Sequence, residues 1–154
     1  MAWFEDFAVG QTAAFGHYVV DRDEVIAFAT RYDPQPFHLS DEAAAATHFK
    51  RLAASGWHSA AMTMAMIVAN MGTDGDVGGS LGAAGIDELR WLRPVHPGDV
   101  LRCETEVIAV IPSRSKPDRG IVRSRMTVLN QHDLPVMTFI PIALYRRRPT
   151  AVAE

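Results

Sequence analysis

The chain has 154 residues, 48% of them apolar and 21% charged, with 18 acidic against 15 basic side chains and a formal net charge of −3. That is the size and balance of one globular domain with a core of its own, and a single domain over residues 1–154 is expected. No face gathers Lys and Arg densely, which argues against a nucleic-acid partner, and a lone cysteine excludes an internal disulfide.

The N-terminal "MAWFEDFAVGQ" carries acids where a secretory signal has a basic region. "TAAFGHYVV" (12–20) reads as a strand. Asp21 then caps a helix, with Glu24 completing a capping box, and the helix runs through "EVIAFATRY" to end before Pro34. "DPQPFH" (33–38) follows: two prolines stiffen a loop that fixes an acid and an imidazole five positions apart. Ser40 caps a short helix, "DEAAAATHF". A third helix starts near Ser55-Gly56 and runs through "WHSAAMTMAMIVANM" to a stop at Gly72. Its apolar residues nearly encircle the axis, predicting burial on most sides, and its methionines suit an irregular interior.

"TDGDVGGSLGAAG" reads as a glycine-rich surface loop that lacks the GxxxxGK[ST] phosphate pattern. From residue 84 four strands are expected, in "GIDELRWLRPV", "DVLRCETEVIAVI", "GIVRSRMTVLNQ" and "LPVMTFIPIALYRR". Cys103 sits in an alternating strand, as a small buried thiol and not a nucleophile. Arg146, Arg147 and Arg148 open a solvated tail. The longest apolar run is too short to span a bilayer. A cytoplasmic protein with no membrane partner is expected, its one cysteine in keeping with a reducing compartment. One buried helix and a long antiparallel meander imply an α+β fold, a sheet curled around a helix.

"DPQPFH" and "ASGWHSAA", together with "FEDFAVGQ" and "LRWLRPVHPGD", resemble segments of the MaoC-like dehydratases, a family that includes the R-specific enoyl-CoA hydratases. The resemblance covers almost the whole chain. It implies the hot-dog fold, an antiparallel sheet wrapped around one long central helix, and a homodimer or a larger oligomer built from dimers. It also implies an acyl-CoA thioester substrate and no metal or cofactor. Gln35 stands where the family usually has Asn, and Ser55 where the hydratases often have His.

Adding water to a 2-enoyl thioester requires deprotonating water at C3, protonating C2 and stabilising charge on the thioester oxygen. Asp33 and His38 are the candidate acid–base dyad, treated jointly because strongly coupled groups titrate as a pair. The backbone N–H of Gly56, at a helix start, is the candidate oxyanion donor. Ser55 is either an N-cap or a substrate contact. The plainer reading has Asp33 ending a helix and His38 bonded to backbone; the accompanying segments tip the balance toward a dyad. His17, His48, His58, His96 and His132 show no metal-ligand spacing. The alternatives are a hot-dog thioesterase, disfavoured because residues 57–72 hold no Asp or Glu, and a non-catalytic acyl-thioester binding module. Arg114, Lys116 and Arg119 form a solvated turn and stay outside the site.

Overall fold

A computed structural model describes residues 2–71 and 78–149. The expected helix stop at Gly72, the start of the glycine-rich loop and the end of the C-terminal tail lie outside them. The described elements are β1 (Thr12–Val19), α1 (Arg22–Tyr32), α2 (Asp41–Ala45), α3 (Gly56–Met71), β2 (Ser80–Trp91), β3 (Val100–Pro112), β4 (Arg119–Leu129) and β5 (Pro135–Arg146), with 3-10 turns at Phe4–Asp6 and Pro36–His38. The strands form one antiparallel sheet in the order β1-β3-β4-β5-β2.

The sheet closes on α3 through Met62 and Met66, which pack with Val20, Leu101, Val128 and Phe139. Close approach is possible because β1 breaks register between Phe15 and Tyr18. Gly16 sits in that bulge at φ +90°, and a Cβ there would lie 2.6 Å from the Met66 sulfur. Only glycine combines that backbone angle with that contact.

Four expectations are corrected. α3 is buried on one face only (His58, Ser59, Met62, Thr63 and Met66), while Trp57, Met64 and Val68 are exposed. Its sequence is apolar all round, but the sheet of one chain covers a single side. The strand placed after residue 84 begins at Ser80, so the second half of the presumed loop is β2. Its small residues and three register shifts against β5 hide the strand pattern. Glu24 gives only half of a capping box: its N–H bonds Asp21 Oδ2 at 2.9 Å, but its carboxylate turns to Tyr18 and His58. α2 ends at Ala45, short of the expected end at Phe49, where the Thr47 hydroxyl donates to Ala44 O and accepts from Phe49 N–H and so competes with the helix ladder. Arg146, Arg147 and Arg148 are exposed, as expected of a solvated run, with the N–H groups of Arg147 and Arg148 donating to Asp118 O and Glu5 Oε2.

Cys103 is fully buried, and burial pushes its thiol up to about 11, in agreement with a packing role. Among the described residues no helix is long and apolar enough to cross a membrane.

Candidate active site

Asp33 is the C-cap of α1, its N–H bonded to Ala29 O at 2.9 Å. Pro34 forbids another helical turn, because the residue before proline is forced out of the helical region. Pro36 then opens the 3-10 turn as its first residue, where a missing N–H costs nothing. The chain reverses within these few residues and returns His38 to Asp33: His38 Nε2 lies 3.4 Å from Asp33 Oδ2. Their side chains are 6% and 19% exposed.

The other imidazole nitrogen settles the tautomer. His38 Nδ1 is 2.7 Å from Ala53 O. A carbonyl only accepts, so Nδ1 carries a proton; in the neutral form of the ring it is then the Nε2 lone pair that faces the carboxylate. Phe37 meets the ring edge-on at 4.6 Å, and Phe49 lies 5.8 Å away.

Asp33 accepts from Gln35 Nε2 on Oδ1 and from Ser55 Oγ on Oδ2, both at 2.7 Å. Burial alone would raise its pKa; the Ser55 and Gln35 donors, and the positive charge of His38 when that ring is protonated, outweigh it, and the carboxyl is held below its ordinary value. Asp33 therefore stays anionic at neutral pH. Gln35, which stands where the family usually has Asn, supplies a side-chain amide donor to the carboxylate.

Ser55 is fully buried. Its carbonyl accepts from the N–H groups of His58 and Ser59 and so begins α3, while its hydroxyl is spent on Asp33 and not on a backbone cap. Gly56 and Trp57 follow at the helix start; among the described residues no partner occupies their N–H groups. The indole of Trp91 covers the α-carbon of Gly56: a Cβ would lie 2.5 Å from the ring, and Trp91 Nε1 donates to Gly56 O at 2.9 Å. Nothing in "LRWLRPV" announced that contact. His58 stands apart from the dyad, stacked on Phe28 at 4.6 Å with Nε2 3.2 Å from Glu24 Oε1. It lines a cleft of about 390 Å³ between α1 and α3.

A partly buried acid–imidazole pair thus lies beside the N-terminus of the helix around which an antiparallel sheet is wrapped, an α+β arrangement of the hot-dog class. A family model described as "MaoC like domain" matches residues 6–129. The chain belongs to the MaoC-like dehydratase family. It is similar over 97% of its length, with 42% identity and a TM-score of 0.87, to a MaoC-like dehydratase from Rhodospirillum rubrum, all of which it covers. The unliganded R-hydratase PhaJ1 from Pseudomonas aeruginosa matches 99% of this chain and 92% of its own at 28% identity, TM-score 0.66. A 3-hydroxybutyryl-CoA dehydratase of Methylorubrum extorquens is 31% identical over 74% of this chain and 69% of its own length.

Proposed function

We propose that the protein is a hydro-lyase that adds water to, or removes it from, a 2-enoyl/3-hydroxyacyl thioester carried on coenzyme A. The observation that carries the reading is the 3.4 Å approach of His38 Nε2 to Asp33 Oδ2, two acceptors converging beside the start of α3. The relatives named as a 3-hydroxybutyryl-CoA dehydratase and an R-hydratase support the same reaction class.

In this reading one water donates hydrogen bonds to Asp33 and His38 and turns a lone pair to C3. As the C–O bond forms, the dyad takes a proton from the water, and it then passes that same proton on to C2. Both proton positions return to their starting state, and the elements of water end on C2 and C3. Charge gathering on the thioester oxygen is met by the Gly56 N–H, where the helix dipole is positive; such a donor is worth about 2.7–4 kcal/mol in the transition state. Ser55 positions the carboxylate through its hydroxyl.

Incubation with 2-enoyl-CoA esters of graded length, branched and dicarboxylic acyl groups included, should bleach the absorbance of the conjugated thioester. No turnover across the whole series rejects the proposal. The thioesterase alternative gains one observation that the sequence hid: Glu24 of α1 reaches His58 in the first turn of α3. That carboxylate already accepts from Tyr18 as well, which leaves hydration as the stronger reading. Thiol release from a saturated acyl-CoA would reverse the order.

The working unit is a homodimer. β2 is an open sheet edge carrying exposed Ile86 and Trp91, and the uncovered flank of α3 adds Trp57, Met64 and Val68. Apolar edges of this kind are normally covered, most often by two-fold pairing. Sedimentation equilibrium at micromolar concentration should give twice the chain mass of 16.9 kDa, and a monomer rejects the pairing. A cytoplasmic location accords with the free, buried Cys103.

A further inference from the structure

The segment 52–55 is neither helix nor strand, yet all four of its residues are buried. Irregular backbone in that position needs an external partner for each polar group. Two consecutive peptide planes receive theirs from the same two places. In the Leu52–Ala53 plane, Leu52 O accepts from His96 Nδ1 at 2.8 Å, and Ala53 N–H donates to Phe37 O at 3.3 Å. In the Ala53–Ala54 plane, Ala53 O accepts from His38 Nδ1 at 2.7 Å, and Ala54 N–H donates to Val95 O at 2.8 Å. Residues 37 and 38 grip the segment on one side, residues 95 and 96 on the other.

The second grip is itself braced. His96 N–H donates to Asp99 Oδ2 at 2.9 Å, Asp99 N–H donates back to His96 O at 3.0 Å, and Gln131 Nε2 donates to Asp99 Oδ1 at 3.0 Å. Asp99 is buried.

We infer that His96 is a positioning residue for the dyad: by holding the Leu52–Ala53 peptide it aims Ala53 O at His38 and thereby keeps the proton on Nδ1 and the lone pair on Nε2. The inference rests on the hydration reading for its kinetic consequence, but not for its structural one. Without the His96 donor, the first peptide plane retains only the longer Ala53–Phe37 bond and is free to tilt. Ala53 O then moves off His38 Nδ1, and the ring can take the other tautomer, which points an N–H at Asp33 instead of a lone pair.

Asparagine carries its amide N–H at the same distance along the side chain as imidazole Nδ1, whereas glutamine carries it one bond further out. His96→Asn should therefore keep kcat within about threefold of wild type, while His96→Gln and His96→Ala lower it between about tenfold and a hundredfold with KM nearly unchanged, as expected when reacting groups are misplaced by less than an ångström or so. Nitrogen-15 NMR of histidine-labelled protein, at a pH where both rings are neutral, should show Nδ1–H on His38 and His96 in wild type and loss of that His38 tautomer in His96→Gln. A folded His96→Gln with wild-type kcat, or an Asn variant as impaired as Gln, overturns the inference. If no variant folds, a wild-type His96 or His38 protonated on Nε2 alone overturns it. A wild type that hydrates no enoyl-CoA ester rejects the proposed function but leaves the tautomer test standing.

Discussion

Two carboxylate–imidazole pairs of nearly equal spacing flank α1, and only one has the surroundings for acid–base chemistry. Asp33 and His38 stand 3.4 Å apart, Glu24 and His58 3.2 Å. In the first pair the far ring nitrogen is engaged by Ala53 O and the carboxylate by Ser55 and Gln35. In the second, His58 Nδ1 is buried with no hydrogen-bond partner among the described residues, and the Glu24 side chain is 45% exposed. The first faces the start of α3, where the N–H groups of Gly56 and Trp57 have no partner among the described residues; the second, although His58 lies in the first turn of the same helix, is stacked on Phe28. Distance alone would not separate them. What separates them is whether the second nitrogen, and the second oxygen, are held.

The largest effects should fall on the first pair. Asp33→Asn and His38→Ala should each remove about 10²- to 10⁴-fold of enoyl-CoA hydration, the usual worth of a general acid–base group. His38→Ala also leaves Ala53 O without its donor, a cost of about 1–3 kcal/mol that thermal unfolding will register. Near-normal turnover in either variant breaks the distinction between the pairs. Next comes Gly56→Val. The new side chain meets Trp91 before any substrate, since a Cβ there lies 2.5 Å from the indole. Displacing the ring should cost about 1–3 kcal/mol of stability, as overpacking does. A crowded approach to the N–H should cost about a hundredfold in kcat, with a smaller change in KM. A folded variant that turns over normally places the oxyanion elsewhere.

Much of this was legible because it is local. Pro34 after an acid, Pro36 at the start of a turn and Ser40 before a run of alanines each act on their immediate neighbours, and the end of α1, the 3-10 turn and the start of α2 fall where those residues put them, although α2 stops at Ala45. Even the plain readings hold alongside the sharp one: Asp33 does end a helix, and His38 does bond backbone. What was hidden is long-range. Trp91 lies 35 residues from the glycine it covers, and Glu24 lies 34 from His58. β2 lacks the β-branched alternation that marks strands, because Gly82, Ala83, Ala84 and Gly85 sit where its register shifts. The exposed flank of α3 could not be told from a buried one, since an apolar residue reads the same against a sheet or against a second chain.

A smaller effect should follow from Ser55→Ala, and its sign with pH is fixed by Asp33. The folded carboxyl sits below its ordinary pKa, with Ser55 the leading cause of the lowering. A depressed carboxyl stabilises the fold above the unfolded pKa, and that contribution is lost as pH falls through the folded value. Removing the hydroxyl raises the folded pKa toward the unfolded one. The variant should therefore lose about 1.5–3 kcal/mol near neutrality, the range for a hydrogen bond to a charged group, and much less in acid where Asp33 is protonated in both states. The acid limb of its pH–rate profile should move upward. Equal destabilisation at both pH values would mean that the hydroxyl supports packing and not the charge.

The smallest effect, and the one that most sharpens the contrast between the pairs, belongs to Glu24→Gln. The amide oxygen can still accept from Tyr18 and His58, so the substitution removes charge while keeping the contacts. If the first pair alone does the chemistry, hydration should stay within about threefold of wild type, which is ~0.65 kcal/mol of barrier. The variant needs an independent sign that it altered the second pair, and Tyr18 provides one. Its hydroxyl is pushed up to about 12, first by its hydrogen bond to Glu24, then by burial and the nearby negative charges. Without the Glu24 charge, Tyr18 should ionise at lower pH in a tyrosinate absorbance titration. A lowered Tyr18 titration with hydration intact confirms that Glu24 and His58 are a packed pair. A lowered titration with hydration lost by a hundredfold or more would place the reacting carboxylate on α1 one pair away from Asp33, and the 3.4 Å contact would no longer carry the mechanism.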